Sequence, residues 1–234
     1  MIKSLTSGRE FIFPEQFSVD KSTALCFTGH REKNIPPYNE LYKYKNLTLE
    51  ALKLLMSRYI DIAIECGYTS FISGFAEGFD LWAAHHVIKR KNDGAGISLI
   101  GAVPYLHHAD RFSSISLALL KEAELHADEL VLICPNPDAV YSFSPISSNQ
   151  SKTLYRDRNY FMADHSSAVI AFINENLKWS GTLQTLNYSK KNNLKICRFG
   201  LKEVYSLIEQ GISRRTGVIC PRRRSEAERR FPSP

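Results

Sequence analysis

The chain contains no apolar run approaching the roughly 18 residues of a membrane-spanning helix. It has no C-x-x-C pair, and G-x-G-x-x-G, Gly-Lys-Ser/Thr, H-E-x-x-H and G-x-S-x-G are all missing. These gaps exclude a helical membrane protein, the dinucleotide fingerprint, a P-loop nucleotidase, a zincin protease and an α/β-hydrolase nucleophile elbow. Cysteine is sparse and odd in number, five in 234 residues (Cys26, Cys66, Cys134, Cys197 and Cys220), mostly among apolar neighbours. That pattern reads as buried thiols in a reducing compartment. Residues 1–20 mix Lys3, Arg9, Glu10 and Glu15 without a signal-peptide core, so the expectation is a cytoplasmic protein.

With 44% hydrophobic and 23% charged residues the chain is long and apolar enough to bury one full core. The net charge of +6 carries little information about that core. Residues 211–234 hold seven arginines and two glutamates, which accounts for +5 and leaves the body at +1. A basic tail of this kind reads as disordered on its own, with nucleic acid as a conceivable partner.

Six short apolar runs, 24–28, 69–73, 97–103, 129–134, 168–174 and 195–199, read as strands. They do not alternate polar with apolar, as expected of strands covered on both faces. Between them, 47–66, 80–91, 112–126, 151–164 and 182–192 carry apolar residues at helical spacing. The expected fold is α/β: a Rossmann-like, doubly wound, mainly parallel six-stranded sheet with helices on both faces. The expected division is an N-terminal extension 1–20, a single domain 21–210 and the tail 211–234. Residues 135–150, rich in Pro, Ser and Asn, read as a long loop, either a lid over a site or a surface excursion.

In such a sheet ligands bind outside the carboxyl ends of the strands, where helix N-termini present unpaired N–H groups. Three loops there hold glycine and small hydroxyls: Thr28-Gly29-His30-Arg31, the stretch from Ser73 and Gly74 to Gly78 and Asp80, and the stretch from Asn174 to Ser180-Gly181-Thr182. Gly74 and Gly78 would let backbone amides approach a phosphate, or simply form a tight turn. Asp80 would accept ribose hydroxyls or cap the helix, because a carboxylate repels phosphate.

Arg158 shares a helical stripe with Leu154, Phe161 and His165, which places a guanidinium on an apolar face. It needs an anion, either a core carboxylate or a ligand phosphate, with Arg156 and Asn159 as flanking donors. The adjacent pairs His85-His86 and His107-His108 read as ordinary surface or packed residues, because neighbours in sequence face different ways. His30, inside the first loop, is the histidine expected to touch a ligand. No metal site or cofactor is expected.

Three segments taken in order resemble one family. They are Cys26-Phe27-Thr28-Gly29-His30-Arg31; Phe71-Ile72-Ser73-Gly74-x-Ala76-x-Gly78-x-Asp80-x-x-Ala83-Ala84; and Arg158-Asn159-x-x-Met162-x-Asp164 with Ser180-Gly181-Thr182. This combination is similar to the YpsA-type branch of the SLOG superfamily, which also holds the Lonely Guy phosphoribohydrolases and the DNA-processing protein A family. The resemblance implies phosphate and ribose contacts from Thr28, Gly29, His30, Arg31, Ser73, Gly74, Gly78, Asp80, Arg158, Asn159, Gly181 and Thr182. It implies binding of a nucleotide or nucleotide-derived sugar such as an ADP-ribose-like signal, with a sensing role. A homo-oligomer is expected, since related folds pair through a helix face.

The chain departs from the phosphoribohydrolases, whose Pro-Gly-Gly-x-Gly-Thr-x-x-Glu supplies a carboxylate for N-glycosidic cleavage. Here the stretch is Leu177-Lys178-Trp179-Ser180-Gly181-Thr182-Leu183-Gln184-Thr185, with Thr185 at the glutamate position. Glu77 or Asp80 would have to replace that carboxylate. An N-glycosidic hydrolase and a DNA-processing-type single-stranded DNA-binding protein are therefore the alternatives to a binding module.

Overall fold

A computed structural model describes residues 1–215 of the chain. In chain order its strands are β1 (Ala24–Thr28), β2 (Ser70–Ser73), β3 (Ser98–Val103), β4 (Glu129–Leu132), β5 (Val140–Tyr141), β6 (Gln150–Ser151), β7 (Ala168–Ile173) and β8 (Lys195–Gly200). Its α-helices are α1 (Lys45–Glu65), α2 (Phe79–Asn92), α3 (Ser114–His126), α4 (Leu154–Asp164), α5 (Gly181–Lys191) and α6 (Leu201–Arg215). β5 and β6 form a separate two-stranded ladder; the other six strands make one sheet in the order β4-β3-β2-β1-β7-β8. Every pairing in that sheet is parallel.

The lack of alternation in the strands has the cause inferred from sequence. All five residues of β1 are buried, and successive ones enter different cores. Leu25 and Phe27 face the larger core, with Leu52 and Met56 of α1, Ala83 and Val87 of α2, Leu120 of α3 and Val204 of α6. Cys26 faces the smaller core, with Ile72, Val169, Phe161 and Met162 of α4 and Leu186 of α5. Helices therefore cover both faces, and the fold is the Rossmann-like α/β one. The chain winds outward from β1 to β4, then returns to lay β7 on the other side of β1. The topological switch point, where such sheets open a crevice, lies between β1 and β7.

Three regions differ from the sequence expectation. Residues 1–20 are packed onto the body. Phe17 is buried against Phe161, with ring centroids 5.4 Å apart, and Ile12 bridges in parallel to Val131 on β4. Residues 135–150 contain the β5–β6 ladder, and Tyr141 packs edge-on against Tyr155 of α4 at 4.8 Å. After β8 the chain continues as α6, whose Val204 and Ile208 are buried. Residues 211–215, expected to begin the tail, are the last turn of α6; the remainder of the expected tail, with Cys220, lies outside the described residues.

Arg9 ties the N-terminal segment down. Its guanidinium donates to the carbonyls of Glu124 at 2.7 Å, of Ala127, and of Asp128 at 3.5 Å, just past the end of α3. Arg9→Ala strands those carbonyls, and a charge-assisted bond contributes about 1.5 kcal/mol or more. Chemical denaturation should show a loss of at least that size. An unchanged midpoint would mean that the segment is not part of the cooperative unit.

Candidate functional site

The carboxyl edge is built around the β2–α2 loop. Ser73 ends β2, and its hydroxyl closes the loop by accepting from the Phe75 amide (3.3 Å) and donating to the Asp80 carbonyl (2.9 Å). Phe75 adopts a left-handed conformation (φ +50°), uncommon for a bulky residue. Its ring holds it there, buried over Gly101 of β3, where an added Cβ would lie 2.8 Å from the ring's Cζ. Gly78 (φ +89°) lets this loop lie against the β1–α1 loop, since a Cβ there would come within 2.9 Å of the Arg31 Cα and the His30 carbonyl.

Arg158 projects from α4 into this corner with only 5% of its surface exposed. One terminal nitrogen donates to the Gly74 carbonyl, and Nε donates to Asn159 Oδ1 at 2.8 Å. Among the described residues no carboxylate lies within the 4.0 Å ion-pair distance of its guanidinium. The space beside Gly74 is already filled, because a Cβ there would sit 2.5 Å from the guanidinium carbon and 2.8 Å from Asp80 Oδ2. Gly74 thus makes room for Arg158 and Asp80.

Asp80 opens α2 and is buried. Burial pushes its carboxyl up to about 6, and Arg158, Arg31 and the amides of Ala76 and Gly74 oppose the rise. Its positive neighbours are Arg158 and the half-buried Arg31. The corner therefore holds two guanidinium groups, one reluctant carboxylate and a surplus of positive charge.

The other expected residues fall around it. Asn159 Nδ2 lies 4.0 Å from where a Gly181 Cβ would stand, which joins the N-terminus of α5 to the corner. Ser180 caps α5 by accepting from the Leu183 amide at 3.1 Å, while Thr182 is buried below. Thr185 donates to the Gly181 carbonyl at 2.9 Å, so its hydroxyl is committed to the helix backbone. Thr28 ends β1 opposite Ala171 of β7, and Gly29 lets Phe79 pack against it, a Cβ there falling 2.5 Å from Phe79 Cβ. His30 is buried edge-on to Phe172 at 6.1 Å with Nε2 unpartnered, and burial lowers its pKa. Glu77 is engaged elsewhere, accepting from the Ser113 amide at 3.1 Å at the start of α3.

One residue read from sequence as an ordinary surface or packed histidine lies near the corner. His108, on the β3–α3 loop, is 6% exposed and sits close enough to Arg158 and Arg31 for both to disfavour its protonation. A His-His dipeptide carries no spacing signal; the usable one was its place after β3, in a fourth carboxyl-edge loop.

Beside the corner an open groove of about 340 Å³ is lined by Tyr141, Tyr155, Arg156, Asn159, Gly181 and Gln184. A larger groove of about 740 Å³ follows α5 past Trp179 and Tyr188, and none of Gly74, Asp80 or Arg158 lines either groove. The smaller groove reaches Asn159, the bonded neighbour of Arg158, and so adjoins the charged residues.

A doubly wound parallel sheet with two guanidinium groups around one carboxyl at its carboxyl edge defines a Rossmann-like α/β protein. Within that class the chain belongs to the YspA SLOG family, whose YpsA model matches residues 25–202, from β1 to the first turn of α6. No curated protein matches the chain. Among the described residues no helix is long and apolar enough to cross a membrane.

The Asp80 carboxyl has a folded pKa of about 6 against an ordinary 3.8, so the folded state holds its proton more tightly than the unfolded chain does. This contribution to stability is therefore fully present below pH 4 and lost as pH rises through 6. Relative to Asp80→Asn, which does not titrate, the wild type should lose roughly 2–3 kcal/mol between pH 4 and pH 6.5 in parallel denaturation curves. Parallel pH profiles would show that Asp80 is already ionised at pH 4.

Gly74→Ala should force the Arg158 guanidinium out of its corner and cost about 1–3 kcal/mol of stability, the usual range for overpacking. Denaturation equal to wild type would mean that the close approach relaxes freely.

Proposed function

We propose that the chain binds a nucleotide or nucleotide-derived sugar across the carboxyl edge of its sheet. The phosphate faces Arg158 and Arg31, and the base lies along the tyrosine-lined groove beside Asn159. The observation that carries this reading is Arg158, a buried guanidinium without a carboxylate within 4.0 Å among the described residues. Arginine stays charged in proteins, and a buried charge is normally paired. Asp80, the nearby carboxylate, is itself held partly neutral near pH 6. A ligand phosphate supplies the missing charge and matches the forked donors.

The family supports this reading, as does the placement of three loops at the switch-point edge. Cys26 and Cys134 are free thiols, which fits a reducing, cytoplasmic setting. Binding without turnover makes the protein a sensor of its ligand. A second reading, N-glycosidic hydrolysis, has one specific observation in its favour: Asp80 is a buried carboxyl with a pKa near 6, of the kind used in acid–base work. Glu77, bonded to Ser113, does not share that position.

The test is thermal unfolding against AMP, ADP, ATP, ADP-ribose and NAD. A ligand bound only by the folded state at about 100 times its Kd adds about 2.7 kcal/mol. A selective rise in midpoint is expected for at least one phosphate-bearing compound and not for adenosine. A flat response across the panel would overturn the reading. Release of free base from the stabilising compound, abolished by Asp80→Asn, would favour the hydrolase.

A further inference from the structure

Six of the seven histidines divide into two kinds; the seventh, His126, is exposed at the end of α3. His85 bonds the Leu119 carbonyl at 2.9 Å, His86 the Asp61 carboxylate at 2.8 Å, His107 the Asp110 carboxylate at 3.2 Å and His165 the Phe161 carbonyl at 2.8 Å. His30 and His108 are the two described histidines with a buried ring nitrogen that has no hydrogen-bond partner: Nε2 in His30, both nitrogens in His108. Their loops follow β1 and β3, which are the two neighbours of β2 in the sheet. The unsatisfied nitrogens therefore flank the β2–α2 loop and its charged corner.

Packing does not explain His108. Its ring is held edge-on by Tyr105, with centroids 6.5 Å apart, and by Phe112 at 5.6 Å. Phenylalanine fits that aromatic slot as well and leaves no polar atom unpaired, whereas buried polar atoms in folded proteins almost always find a partner. Burial and the neighbouring guanidinium groups push its pKa down to about 3; the Tyr105 carbonyl, near the ring but outside hydrogen-bond geometry, opposes them, and the ring is a neutral imidazole near pH 7. A neutral imidazole offers one N–H donor and one lone pair. A bare anion satisfies only the donor; a phosphorylated sugar brings an anionic oxygen and a hydroxyl together and satisfies both.

We infer that His108 is a ligand-contacting residue of this site, donating one ring nitrogen to a phosphate oxygen and accepting a sugar hydroxyl at the other. This rests on the nucleotide reading and adds to it a fourth loop and a requirement for the sugar. Both ring nitrogens are covered in the free chain and His108 lines neither groove, so contact with a ligand requires side chains at the corner to move.

The experiment is calorimetric titration of wild type, His108→Phe and His108→Gln with AMP and with ribose 5-phosphate, together with the unfolding midpoint of each free protein. His108→Phe should fold with an unchanged or higher midpoint and bind both compounds about tenfold or more weakly, as expected for lost hydrogen bonds at a buried site. His108→Gln, which keeps a donor and an acceptor, should recover part of that loss. If His108→Phe fails to fold, His108→Leu takes its place as the apolar variant.

Wild-type affinity in the folded apolar variant overturns the inference, as does a lower midpoint with ligand affinity intact, since that is the mark of a packing residue. Equal losses in the apolar and glutamine variants also overturn it. If wild type binds neither compound, the titrations use whichever of ADP, ATP, ADP-ribose and NAD stabilises it; binding none of these overturns the nucleotide reading itself, and this inference with it.

Discussion

A guanidinium placed where it cannot lose its charge, with Asp80 nearby but, among the described residues, no carboxylate within ion-pair distance, is the constraint on which the site turns. Arg158 arrives on the apolar stripe of α4 because the same helix face supplies Phe161 and Met162 to the smaller core. Once there, it dictates its neighbours. Residue 74 must lack a Cβ, Asn159 turns its carbonyl oxygen toward Nε, and Asp80 settles close enough to be influenced without forming an ion pair. Two amides from the loop backbone hold Asp80 as well, so the carboxylate serves the loop as much as the arginine.

The scaffold makes this corner possible by stacking parallel strands whose ends deliver successive loops to one edge. The β1–α1 and β2–α2 loops touch through Gly78 and Gly29, and the Phe75 ring pins the second loop to β3. α4 and α5 enter from the other face, sharing it with the N-terminal segment and its buried Phe17. The result is a floor with two guanidinium groups, edged by the tyrosines of the β5–β6 insertion and α4.

The six sheet strands were legible because they are buried on both faces, so apolar runs such as 24–28 carry no competing polar signal. α6 was not legible as a helix because residues 201–215 mix Lys202, Glu203 and Glu209 with a narrow apolar stripe and run into arginines that read as a tail. The N-terminal packing rests on scattered single residues, Phe11, Ile12 and Phe17, with no period to detect. Within the site, Arg158 stood out because charge on an apolar stripe is an anomaly at the level of sequence. The roles of Gly74, Gly78 and Gly29 did not, since a glycine that accommodates an arginine or a phenylalanine ring looks the same in sequence as one that admits a phosphate. Glu77 and Asp80, three residues apart, separate because only Asp80 turns into the corner, while Glu77 reaches the amide that precedes α3.

The central claim is that the missing partner of Arg158 is a ligand phosphate. The most direct measurement is a double-mutant cycle between this side chain and that group: the affinities of AMP and adenosine for wild type and for Arg158→Gln. The account predicts that the substitution weakens AMP about tenfold or more and changes adenosine by less than about twofold, so that the coupling appears only when the phosphate is present. Equal losses for the two ligands, or no loss for either, would contradict it.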